Sequence, residues 1–107
     1  MTIGQIVALF FGGMFGMNAI PHVVAGVLGR AFQSPFATPR GEGLSSSTVN
    51  VLWGFANLVV AWLLLAPVGG FVPSAWSHML AVGLGALPMA LFHARHFGRF
   101  HGGNLPE

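Results

Sequence analysis

The sequence predicts an all-α integral membrane protein with three transmembrane helices in a small bundle. Of its 107 residues, 54% are hydrophobic and only 6% are charged, whereas soluble proteins carry roughly a quarter charged residues. Two acidic residues and four arginines cannot cover the surface of a water-soluble chain of this length, so lipid is the expected solvent. We therefore expect a single transmembrane domain over residues 1–107, multi-pass, in a bacterial inner membrane.

Three apolar stretches approach or exceed the roughly 20 helical residues that a bilayer core requires. Their predicted limits are 3–28, 49–66 and 75–93. The first stretch lacks the positive charge that begins a secretory signal, so we expect it to remain uncleaved. The second is preceded by serine and threonine hydroxyls that are suited to cap its start. Between the first two, 29–48 is rich in proline, glycine and serine and is predicted as a loop, and 94–107 is predicted as a basic tail.

The four arginines indicate an orientation in the membrane. Arg30 and Arg40 lie in the predicted loop. Arg95 and Arg99 lie in the predicted tail, which three spans place on the same side as the loop. Because cytoplasmic segments carry an excess of positive charge, we predict a cytoplasmic loop and C-terminus and an external N-terminus. We expect Arg30, Arg95 and Arg99 to contact lipid headgroups. We do not expect nucleic-acid binding, because four dispersed arginines do not form the basic stripe that such proteins present.

Polar side chains interrupt the first two spans. Asn18 and His22 are one turn apart on the first span, and Asn50 and Asn57 are two turns apart on the second. With a rise of ~1.5 Å per residue, His22 lies about 10 Å and Asn57 about 12 Å inside the loop end of their spans, so we expect the two to face each other. Because unpaired polar groups in hydrocarbon are costly, these four residues are predicted to form a polar pocket.

Two interpretations of this pocket remain open. Asparagine and histidine in membrane helices often join helices to one another, with an average contribution of roughly 0.6 kcal/mol. Intramembrane polar residues also mark transport paths and ligand sites. In that second interpretation the chain is a homo-oligomeric transporter or channel for a small solute, with His22, Asn18 and Asn57 along the path. The neutral imidazole of His22 is suited to bind a metal or to relay a proton.

A second feature of the first span is a ladder of small residues, namely Ala8, Gly12 and Gly16. These residues recur every fourth position, ~200° around the helix from Asn18. Small-residue ladders of this kind let another helix approach closely. We therefore expect the chain to act first as an assembly or accessory subunit, joined to copies of itself or to a larger membrane complex.

Histidines offer a third function, the binding of haem or a divalent metal by His22, by His78 or by those near the C-terminus. His93 and His96 are three positions apart on one helical face, with His101 beyond, and such a spacing lets imidazoles share a metal. The stretch FHARHFGRFHGG equally fits a basic end that lies among lipid headgroups, and no two histidines match in depth as haem ligands require. We therefore predict no cofactor. With no cysteine and no acidic residue inside a span, we do not expect an enzyme.

The predicted loop is longer than most connections between helices, and loops of about 20 residues are either functional or disordered. Its central stretch, SPFATPRGEG, contains two prolines that stiffen the backbone. We expect this stretch to form an ordered cap over the mouth of the polar pocket near Asn50, the alternative being a solvated linker.

Overall fold

Three long helices make up most of the computed structural model, which describes residues 1–103. Helix α1 covers Ile3–Val27, α2 covers Ser47–Leu63 and α3 covers Trp76–His101. A π-helical turn at Leu64–Val68 continues α2. Each of the three helices, with this turn included in the second, is long and apolar enough to cross a membrane. The prediction of a helical chain with three apolar helices of membrane-spanning length is confirmed.

Side-chain caps fix where the first two helices begin. The Thr2 hydroxyl accepts a hydrogen bond from the Gln5 amide at 3.1 Å, and the Gln5 side chain accepts one in return from the Thr2 amide at 2.9 Å. This reciprocal pair satisfies two amides that the first helical turn leaves free. At α2, the Ser46 hydroxyl accepts from the Val49 amide at 3.2 Å, so the predicted hydroxyl cap is present.

Helix α1 lies in the middle of the bundle and packs along both α2 and α3, whereas α2 and α3 touch at only a few points among the described residues. Glycines allow the closest approaches. A Cβ atom on Gly13 would collide with the carbonyl of Val82, and one on Gly85 would collide with the carbonyl of Phe10. Gly54 occupies an equivalent position between α2 and α1. The backbones of α1 and its two neighbours are therefore in direct contact.

The small-residue ladder packs within the chain, which differs from the prediction. A Cβ atom on Gly12 would lie 2.6 Å from a methyl carbon of Leu65, and one on Gly16 would lie 3.8 Å from Ala61. Ala8 is also buried, with 4% of its surface exposed. Because α1 has a neighbouring helix on each side, it needs a small face toward each of them. Gly12 and Gly16 of the face that we expected to receive a helix of another chain lie against α2 and its π-helical turn, and Gly16 is only half-buried there.

Helix α3 is longer than the predicted third span. The sequence predicted a span over 75–93 followed by a tail over 94–107, but α3 continues without a break to His101. It ends at Gly102, whose φ of 76° is the left-handed conformation that commonly terminates a helix. Basic side chains are favourable in the last turn because the helix dipole is negative there. Residues 104–107 of the predicted tail lie outside the described residues.

The segment between α1 and α2 is ordered and folds over the end of the bundle. Strand β1, Phe32–Gln33, pairs antiparallel with strand β2, Leu44–Ser45. The Ser34 and Ser45 hydroxyls are hydrogen-bonded across the base of this hairpin. The last turns of α3 contact the same hairpin segment, so loop and α3 terminus share one end of the bundle, called here the loop end.

Candidate functional site

A cavity of about 360 Å³ lies at the loop end of the bundle, bounded by α1, α2, α3 and the hairpin segment. Imidazole and aromatic rings form much of its wall, namely His22, His93, His96, Trp53, Phe92 and Phe97. Its volume falls within the range of about 300–1,000 Å³ that is typical of small-molecule sites. The wall of this cavity therefore combines apolar rings with a few hydrogen-bonding groups.

His22 is held in one tautomer by Asn50. Its Nδ1 atom lies 2.7 Å from the side-chain oxygen of Asn50, and both residues are buried. The Asn50 amide nitrogen donates to the carbonyls of Phe32, Ser45 and Ser46 at 3.0 to 3.2 Å. Because carbonyls only accept, the Asn50 atom that faces them is the amide nitrogen, and the atom that faces His22 is the amide oxygen. An amide oxygen also only accepts, so Nδ1 of His22 is the donor. Neutral His22 then carries a lone pair on Nε2, the atom that has no hydrogen bond within residues 1–103.

A chain of hydrogen bonds fixes the tautomer of His93 in the same way. Asn57 donates its amide to the Trp53 carbonyl at 2.9 Å, so its oxygen is an acceptor. That oxygen accepts from the Asn18 amide at 2.9 Å, and the Asn18 oxygen accepts from His93 Nε2, also at 2.9 Å. The Trp53 carbonyl can only accept, and this fixes the donor and the acceptor in each of the three hydrogen bonds. His93 therefore keeps its lone pair on Nδ1.

The four residues of the predicted polar pocket come together, but in pairs that differ from the expected ones. We expected His22 to face Asn57, whereas His22 bonds Asn50 and Asn57 bonds Asn18. The cause is the position of the helix ends, since α1 ends at Val27 and α2 already begins at Ser47. Measured from these ends, Asn57 and Asn18 lie at nearly the same depth, and His22 is about one turn nearer to the loop.

The last turns of α3 are fastened to the loop. His96 donates from Nε2 to the carbonyl of Gly41 at 2.6 Å, and its Nδ1 atom accepts from Arg99 at 3.2 Å. Arg99 also lies 3.6 Å from the Glu42 carboxylate. Nearby, His101 Nε2 lies 2.7 Å from the side-chain oxygen of Gln33. The loop, which was expected to be a cap near Asn50, is thus held down over the cavity by three side chains of α3.

The three histidines considered as metal ligands are directed to three separate partners. His93, His96 and His101 each use Nε2, toward Asn18, Gly41 and Gln33 respectively. Among residues 1–103, no group of three histidine, cysteine or acidic side chains is arranged to hold a metal ion. The metal hypothesis therefore has no geometric support from the part of the chain that the structure describes.

The arginines predicted to contact lipid headgroups lie at the surface of the loop end. Arg30 and Arg95 are exposed. The Arg99 side chain remains 51% exposed although it reaches Glu42, and its guanidinium lies 5.0 Å from the centre of the Phe100 ring. This placement is compatible with a headgroup layer, and headgroup contact stays a prediction for all three.

Two features of the cavity were missed by the sequence analysis. His93 was considered as a haem or metal ligand and not as part of the polar pocket, because the third span was predicted to end there, yet it lines the cavity beside Asn18. Trp53 lies between His22 and Phe36, with ring centroids at 6.4 and 5.1 Å. Its indole Nε1 is buried and has no hydrogen-bond partner in the described part of the chain. The helical spacing of His93 and His96 was a signal that α3 continues.

Comparison with known proteins does not identify this arrangement. No model of a protein family, no curated protein and no solved structure matches the chain.

Proposed function

We propose that this chain is a membrane-embedded binding protein that holds a small molecule in the cavity at its loop end. The observation that carries the proposal is a pair of imidazole nitrogens, His22 Nε2 and His93 Nδ1. Their lone pairs are left over after the opposite nitrogens have been committed to hydrogen bonds with asparagine. Buried polar atoms find hydrogen-bond partners in the protein or in ordered water. Here hydrogen-bonding capacity remains beside an open volume.

We also propose that the loop end lies in the cytoplasm. Arg30 and Arg40 belong to the loop, and Arg95 and Arg99 belong to the last turns of α3. All four arginines therefore sit at one end of the bundle, which supports the orientation given by the positive-inside rule. In this orientation the cavity is reached from the cytoplasmic face or from its headgroup layer.

Ligand binding is common to this proposal and to the transporter hypothesis. The accessory-subunit hypothesis drew on the ladder of Ala8, Gly12 and Gly16, of which Gly12 and Gly16 contact α2 and its π-helical turn, and that hypothesis stays a prediction. Ligand binding is therefore the function that the geometry supports best.

The test compares the small molecules that accompany the protein out of its native membrane. The full chain is extracted into lipid nanodiscs, and its bound molecules are measured by mass spectrometry beside those of the double variant His22→Asn, His93→Gln. An asparagine amide replaces His22 Nδ1 as donor to Asn50, and a glutamine amide replaces His93 Nε2 as donor to Asn18. Both substitutions remove the lone pair that we assign to the ligand while keeping the structural bond.

The matched control is His78→Asn at the other end of the bundle, where His78 Nδ1 accepts from the Val72 amide at 3.0 Å and an asparagine oxygen takes over the acceptor role. We expect at least one small molecule to accompany the wild type and the control and to be lost from the double variant. The same set of molecules in all three preparations would overturn the proposal.

A further inference from the structure

We infer that the ligand of this cavity is a neutral aromatic ring that carries hydroxyl groups, as quinols and other phenols do. The inference rests on the proposed function, because it names the class of molecule that the cavity binds. Two features of the wall lead to it: a pair of imidazole acceptors and a set of aromatic rings.

The two acceptors require a ligand that donates hydrogen bonds. Asn50 and Asn18 accept the single ring protons of His22 and His93, so the remaining imidazole nitrogens present lone pairs. A hydroxyl group satisfies such a lone pair. The oxygen of a ketone, carboxylate or phosphate would instead meet it with a lone pair of its own. Ligands that only accept hydrogen bonds are therefore disfavoured by the wall of the cavity.

Trp53 contributes an aromatic ring to the wall rather than a hydrogen-bond donor. The residue lines the cavity, but its Nε1 atom is buried away from the open volume and has no hydrogen-bond partner in residues 1–103. A ligand in the cavity therefore does not reach this atom. The hydrogen-bonding requirement of the wall comes from the two imidazoles.

The rest of the wall favours an aromatic and uncharged body. The Phe97 ring lies 6.1 Å from His22 and 5.1 Å from His93, measured between centroids, and so stands beside both acceptors. Aromatic rings pack against one another at such separations, either edge to face or offset. Arg40 is the only lining residue with a permanent charge among those described, and its side chain is exposed at the rim. A flat, neutral ring that dissolves in lipid fits this environment.

Hydrogen-bond donation by the ligand is tested with three compounds that share one ring. Tetramethylhydroquinone donates two hydrogen bonds, its dimethyl ether donates none, and tetramethylbenzoquinone only accepts. Each is titrated calorimetrically, without oxygen, into the purified full chain in nanodiscs. We expect the hydroquinone to bind about a hundredfold more tightly than either partner compound, which corresponds to two satisfied hydrogen bonds of about tenfold each. Equal affinity for the three compounds would overturn the inference.

Variants locate the binding site. We expect His22→Asn and His93→Gln each to weaken hydroquinone binding by about tenfold, while both variants keep the thermal stability of the wild type. His78→Asn should leave the affinity unchanged. Loss of binding in all three variants, or in none, would overturn the assignment of the two acceptors.

The outcomes separate this inference from the proposed function. If none of the three ring compounds binds but the native-membrane preparation retains another molecule that depends on His22 and His93, the cavity is a binding site and the phenol class is wrong. If that preparation retains nothing that depends on these histidines, the proposed function fails as well. A Zn²⁺ titration belongs in the same series, and Zn²⁺ binding that depends on both histidines without hydroquinone binding would make the ligand a metal.

Discussion

The imidazole of His22 donates its Nδ1 proton to the side-chain oxygen of Asn50 at 2.7 Å, in a contact that both residues bury. Because the Asn50 amide bonds the carbonyls of Phe32, Ser45 and Ser46, this one side chain joins α1, the first turn of α2 and the base of the loop. The position of His22 in the cavity wall is therefore tied to the fold of the loop above it.

Asn50→Ala should be one of the most destabilising substitutions in the chain. It removes the acceptor of the His22 proton and the side-chain donor to the Phe32 and Ser45 carbonyls, whereas the Ser46 carbonyl keeps the Asn50 backbone amide. We expect a loss of at least about 2 kcal/mol in the free energy of unfolding. A titration with a denaturing detergent measures this free energy of unfolding. Thr48→Ala, at an exposed position in the same helical turn, is the control. Equal stability of the two variants would show that Asn50 does not organise the loop end.

Gly85→Ala and Gly83→Ala form a matched pair on α3. A Cβ atom on Gly85 collides with the Phe10 carbonyl, whereas one on Gly83 meets nothing within 4 Å. We expect Gly85→Ala to lower the melting temperature in detergent because α1 and α3 must move apart. Gly83→Ala should be neutral or more stable by up to about 1 kcal/mol, since alanine favours helix. Equal melting temperatures would contradict the backbone contact between α1 and α3.

Gly12→Leu distinguishes packing within the chain from packing between chains. The added side chain has no room beside Leu65, so the variant should be less stable by the same amount at every protein concentration. Stability that depends on oligomerisation varies with protein concentration instead. Melting curves over a hundredfold dilution check this. A loss of stability that changes with protein concentration would indicate instead that Ala8, Gly12 and Gly16 contact another chain.

Single cysteines test the orientation of the chain, which has no natural cysteine. Thr38→Cys places a thiol in the loop, and Ser74→Cys places one in the exposed turn between α2 and α3. In intact cells a membrane-impermeant maleimide should label Ser74→Cys and spare Thr38→Cys, and inside-out vesicles should give the reverse. The opposite pattern would invert the proposed topology.

Closure of the loop should depend on His96 far more than on Glu42. His96 reaches the Gly41 carbonyl at 2.6 Å, whereas the pairing of Glu42 with Arg99 is exposed and such pairs contribute about 1 kcal/mol or less. We expect His96→Asn to accelerate amide hydrogen exchange in residues 37–43. His96→Gln, whose longer amide reaches the same carbonyl, and Glu42→Gln should exchange like the wild type. Acceleration in Glu42→Gln alone would reverse this order.

The sequence predicts the architecture better than it predicts the pairing of side chains. Composition and the lengths of the apolar stretches are sufficient for the three helices, and the Ser46 cap and the polar faces follow from local pattern. The partner of His22 depends on where α1 and α2 end, and a shift of one or two residues there exchanges Asn57 for Asn50. The end of α3 was missed because hydropathy falls at Arg95, although the helix continues as far as His101.

Two relationships could not be predicted from the sequence at all: which helix packs against Gly12, and which tautomer each cavity histidine adopts. A small residue permits close approach by any helix, whether it belongs to the same chain or to another. A tautomer is decided by the atoms beyond the first partner, as the three carbonyls around the Asn50 amide decide that of His22. Neither relationship leaves a periodic pattern in the sequence.

The central position of α1 has a consequence for how the chain is made. The ribosome produces α1 first, with Asn18 and His22 already in place, but Asn50 follows His22 by 28 residues, Asn57 follows Asn18 by 39, and His93 follows Asn18 by 75. The first helix therefore leaves the translocation machinery with polar groups whose partners do not yet exist. Its early companions are water, lipid headgroups or the insertion machinery, and the bundle is completed only when the last helix arrives.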